Sequence, residues 1–135
     1  MDNKLISLVT FSILIVVGCR QQPSTEQATR AFCQDLSNLR QQLATLSNLT
    51  PQSTVGDLLA TRDRIEASLN KVKQAGSVLH NARLDDLRRA ENNFKNTVNS
   101  ISKRATLAEA AAKVKQAGAQ VEAARAQLSS TVQCP

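Results

Sequence analysis

Few residues in this chain can do chemistry. Cysteines stand at 19, 33 and 134, and His80 is the single histidine. A thiol nucleophile needs a base beside it, and a zinc site needs clustered sulfur and nitrogen ligands. The cysteines form no CxxC pair, and one histidine supplies neither a catalytic partnership nor a ligand set. Asp85-Asp86 is the only adjacent acidic pair. It reads as the acidic first turn of a helix rather than as a cation site. The chain holds no GxSxG, HExxH or phosphate-binding loop. These residues predict a protein that is not an enzyme, with no catalytic residues, no metal and no dissociable cofactor.

The N-terminal stretch gives an address. Leu5–Val17 is uncharged and mostly apolar. It falls short of the roughly 20 residues that span a bilayer as a helix, and suits the core of a secretory signal. It ends in Val16-Val17-Gly18-Cys19, which resembles the lipobox of bacterial lipoproteins: aliphatic, aliphatic or small, Gly or Ala, then Cys. The resemblance implies cleavage before Cys19, a diacylglyceryl group on its sulfur and an acyl chain on the new amine. Residues 1–18 then form the signal peptide, 19–25 a lipidated tether and 26–135 the folded domain. It also implies an extracytoplasmic location, anchored through lipid to an envelope membrane. Arg20 follows the cysteine, where an Asp would favour inner-membrane retention.

With Cys19 assigned to lipid, Cys33 and Cys134 are left as a pair in a compartment that permits disulfides. The alternative is two free thiols. A bond between them closes a loop of about 100 residues, for which the chain-entropy model gives about 4.7 kcal/mol.

Elements that position these cysteines follow from hydrophobic spacing. Composition is rich in Ala, Leu, Gln, Lys and Arg and poor in aromatics, which favours helix. Ser24 with Gln27 opens a first helix, and Phe32, Leu36, Leu39, Leu43 and Leu46 form its seam at steps of four and three. Thr50-Pro51 stops it. Thr54 with Asp57 opens a second helix, with Leu58, Arg62, Ile65, Leu69, Val72 and Leu79 along the seam. Gly76 on that seam either allows close helix contact or bends the helix. The phase breaks at His80-Asn81. Asn81 is the expected cap of a third helix carrying Leu84, Leu87, Glu91, Phe94, Val98 and Ile101, although one bent helix through this point is the alternative. Thr106 with Glu109 opens the last helix, with Leu107, Ala110, Val114, Ala117, Val121, Ala124 and Leu128 facing inward. The hexapeptide Lys-Val-Lys-Gln-Ala-Gly occurs at 71–76 and again at 113–118; it reads either as a duplicated hairpin or as a product of biased composition.

Helix parity links these elements to the cysteines. Short loops make successive helices antiparallel. An even number of helices brings Cys134 back to the end where Cys33 lies, whereas three would leave it a helix length away. The expected fold is an all-α, up-down-up-down four-helix bundle with coiled-coil-like seams.

Net charge is +6, with most cations between 62 and 115. Lys71, Lys73, Arg88, Arg89, Lys113 and Lys115 are candidate contacts for an anionic partner, either an envelope protein or a polymer. A merely solvated surface explains interleaved charges as well. Nucleic acid is disfavoured by the export signal and the scarcity of stacking aromatics. Phe32-Cys33-x-Asp35-Leu36, the Leu49-Thr50-Pro51 break and Cys134-Pro135 resemble small helical envelope lipoproteins without a diagnostic active-site motif. The expected function is a lipid-anchored binding or structural module. The alternative is a carrier whose Ala-rich last helix leaves room in the core for a lipid or small apolar ligand.

Overall fold

Among the described residues, three of four helices begin at capping boxes, where a side-chain oxygen takes an otherwise orphaned backbone N–H. A computed structural model describes residues 24–101 and 106–135. In it Ser24 caps α1 (Thr25–Ser47), Thr54 caps α2 (Val55–Gly76) and Thr106 caps α4 (Leu107–Val132), each with reciprocal bonds to Gln27, Asp57 and Glu109 respectively. The Thr54 N–H donates to the Asp57 carboxylate at 2.7 Å, and this bond holds the carboxyl below its ordinary value. α1 begins at Thr25, one residue inside the expected 19–25 tether. The signal peptide, the lipobox and Cys19 lie outside the described residues.

The third helix, α3, spans Asp85–Asn99. The chain does break between α2 and α3, but not at the expected cap. α2 stops at Gly76, residues 77–84 form an irregular connection with turns at 77–78 and 80–81, and exposed Asn81 caps nothing. Leu84 occupies the N-cap position with no side-chain bond. Its apolar side chain is buried, so burial fixes the start, while Asp85 and Asp86 complement the helix dipole.

Each seam points inward. Phe32, Leu36, Leu39, Leu46, Ile65, Leu69, Leu87, Phe94, Val114 and Val121 are essentially inaccessible to solvent. Each such side chain contributes about 1.5–3 kcal/mol when fully buried. Among the seam positions whose side chains are described, Ile101 is only half-buried and Arg62 is misassigned. Thr61 is buried instead, donating its hydroxyl to the Asp57 carbonyl at 2.8 Å. Arg62 turns aside to pair with Asp63 at 2.7 Å. A hydroxyl can be satisfied within its own helix, whereas a buried guanidinium needs a counter-charge.

The helices form an antiparallel four-helix bundle, with α1 against α2 and α4, and α3 against α4. Gly76 serves close approach. A Cβ there would stand 2.8 Å from the Phe32 ring and 2.9 Å from Leu84, so only glycine lets the end of α2 meet the start of α1. At the same end, Cys33 and Cys134 are bonded with their Cα atoms 5.5 Å apart. The chain reaches this bond through a Schellman turn: Cys134 N–H donates to the Ser129 carbonyl at 2.9 Å and Gln133 N–H to the Ser130 carbonyl at 3.2 Å. Gln133 takes the left-handed conformation this turn requires, with φ 59°.

Candidate functional site

The bundle has two unlike ends. One holds the start of α1, the end of α2, the start of α3 and the end of α4, tied by the disulfide. Among the described residues of that half, basic side chains and carboxylates are equal in number. In the other half, Arg40, Arg62, Arg64, Lys95, Lys113 and Lys115 outnumber Asp57, Asp63 and Glu109.

This division separates the six candidate anion contacts. Lys71, Lys73, Arg88 and Arg89 lie toward the disulfide end, and three of them already have partners. Arg88 lies 3.9 Å from Asp85, Arg89 pairs with Asp86, and Lys73 meets Glu91 at 2.8 Å. Lys113 and Lys115 lie toward the opposite end. Lys113 is exposed. Half-buried Lys115 donates to the Leu49 carbonyl at 2.6 Å, just past the end of α1. The six residues therefore do not form one surface.

Glu91 shows what the sequence pattern only hinted at. Its side chain is 4% exposed and bridges Lys73 of α2 at 2.8 Å and Lys95 of its own helix at 2.9 Å. Burial alone pushes its carboxyl up. Hydrogen bonds and charge from Lys73 and Lys95 outweigh burial and hold it below the ordinary glutamate value. The Glu91 bond in turn raises Lys95, with a smaller pull from Glu66. A carboxylate on an apolar seam is a sequence signal that cations must lie close. Which lysine of α2 answers it is set by the fold.

A groove runs between the C-terminal half of α1 and the N-terminal half of α4, about 320 Å³ in volume. Leu43, Ala44 and Leu46 form one wall, and Gly118 and Ala119 the other. A Cβ on Gly118 would stand 2.6 Å from Leu46, so the bare glycine admits the Leu46 side chain. Arg40, Lys115 and Glu122 edge the groove. Glu122 is engaged in a two-pronged pair with Arg125, both contacts at 2.8 Å. A smaller recess of about 200 Å³ continues past Lys115 toward Leu49, Pro51 and Ala108. Sequence spacing gives no warning of this groove, because small residues at helical steps read equally well as close packing.

His80 is exposed in the α2–α3 connection, and Asp85 and Asp86 are exposed in the first turn of α3. Among the described residues, no three His, Cys, Asp or Glu side chains are placed to share a metal ion. Also among them, no helix is long and apolar enough to cross a membrane. Comparison with protein-family models, with curated proteins and with solved structures finds no match for this chain.

Proposed function

We propose that this chain is a lipid-anchored module of a bacterial envelope that binds rather than catalyses. The observation that carries the reading is the pairing of Cys33 with Cys134. It leaves Cys19 as the one remaining thiol, directly after Val16-Val17-Gly18. Disulfides persist outside the cytoplasm, where a lipobox would send the protein. Acyl chains on Cys19 would hold the membrane by about 0.8 kcal/mol per buried CH₂. A tether entering at the start of α1 would keep the disulfide end at the membrane. The end richer in cations would then face outward, toward an acidic protein or an anionic polymer. Lys113, Lys115 and Arg40 are its proposed contacts.

Crosslinking in intact envelopes, followed by pull-down after detergent extraction, tests this reading. It predicts a specific partner that is lost with Lys113→Glu and depleted when Cys19→Ser removes the anchor. Recovery of no specific partner from the unmodified protein would contradict it. A second reading, carriage of a lipid or small apolar ligand, is favoured by the α1–α4 groove. The groove opens on the bundle surface and is not enclosed in the core.

A further inference from the structure

We infer that the groove between α1 and α4 binds one fatty acid. The inference rests on the carriage reading and names its site and ligand class. Three observations point to this occupant. First, the walls are apolar or small: Leu43, Ala44, Leu46, Gly118 and Ala119. Second, at about 320 Å³ the groove lies at the lower limit for small-molecule sites, roughly 300–1,000 Å³. That is room for one chain and not for a two-chain lipid. Third, the edge charge is positive. Arg40 is exposed beside the groove, Lys115 borders it, and the one carboxylate in the lining, Glu122, is already paired with Arg125. An apolar trough with unbalanced cations at its edge complements a chain that carries an anionic head. A planar carboxylate also suits the fork of an arginine.

The test uses the full chain, matured in the envelope and held in nanodiscs of zwitterionic lipid. A photoreactive dodecanoate is added, and its crosslinks are mapped by peptide mass. Labelling is expected on the segments 40–47 and 115–122, with competition by plain dodecanoate and not by dodecyltrimethylammonium. Ala44 is exposed on the groove wall, so Ala44→Leu fills the groove without touching the core. It should cut labelling by about tenfold, while circular dichroism stays unchanged. Arg40→Glu should cut it by about threefold, the scale of an exposed ion pair. Lys71→Glu, at the other end of the bundle, should have no effect.

Labelling that ignores Ala44→Leu, or that the cationic amphiphile displaces equally, would overturn the inference. Stronger competition by lysophosphatidylglycerol than by dodecanoate would overturn the fatty acid as ligand. Absence of acyl labelling would also overturn it, and capture of an envelope protein by a photo-crosslinker at position 44 would then give the groove to a protein helix. The lipid anchor is read separately from the mass of the Cys19 peptide. An unmodified Cys19 with a labelled groove would leave this inference standing and remove the anchor.

Discussion

The two copies of Lys-Val-Lys-Gln-Ala-Gly share a local design and differ in what surrounds them. In both, the valine is buried, the first lysine is exposed, the second is half-buried and reaches another segment, and the glycine presses on α1. The copy at 71–76 ends against the Phe32 ring and Leu84, and its Lys73 finds a buried carboxylate. The copy at 113–118 ends against Leu46, and its Lys115 finds a backbone carbonyl beside an open groove. Spacing along a helix thus determines which face each residue takes. The fold determines whether that face closes into a tied end or opens into a cleft.

The disulfide should dominate the tied end. Cys33→Ser is expected to cost about 2–5 kcal/mol, read as a fall in melting temperature. The loss should vanish when both proteins are compared in reductant; an equal loss under both conditions would break the comparison. Amide exchange should also rise first around 71–84 and last around 113–122.

The ion cluster comes next. Glu91→Gln leaves Lys73 and Lys95 without their counter-charge and is expected to cost about 1–3 kcal/mol near neutrality. The folded carboxyl sits below its ordinary value of 4.5. Its stabilisation is therefore complete above that value and is lost as pH falls through the lowered one. Denaturant melts across this acid range should show the wild type converging on Glu91→Gln. A constant gap between them would mean that the carboxylate charge is not what stabilises this contact.

The glycines sharpen the contrast further. Gly76→Ala forces a methyl against a fully buried ring and Leu84 at the last residue of a helix. It should cost about 1–3 kcal/mol. Gly118→Ala meets only the end of Leu46, which can yield into the groove, and it gains helix propensity of about 0.8–1 kcal/mol. Its net effect should lie near zero, within about 0.5 kcal/mol. Chemical denaturation of the two variants reads the difference. Gln133→Gly relieves the left-handed turn before Cys134 and should stabilise by about 0.5–1 kcal/mol.

Much of this was legible in the sequence because caps and seams are local signals. Ser24, Thr54 and Thr106 each announce a helix within four residues, and the 3.6-residue period marks which side chains go inside. The even helix count followed from where Cys33 and Cys134 had to meet. Other features depend on neighbours that no local spacing reveals. The choice of Thr61 over Arg62 turns on whether a polar group can be satisfied once buried. The placing of Leu84 at the N-cap of α3 turns on packing against Gly76. The division of the six cations between two ends, and the space beside Gly118, appear only when the helices are assembled.

The most direct test of the whole account is the intact mass of the protein extracted from a bacterial envelope, measured with thiol alkylation before and after reduction. The account predicts a chain that begins at Cys19, carries added acyl mass there, and alkylates at Cys33 and Cys134 only after reduction. An unmodified N-terminus would remove the anchor, and alkylation of Cys33 and Cys134 without reductant would remove the bond that ties the bundle.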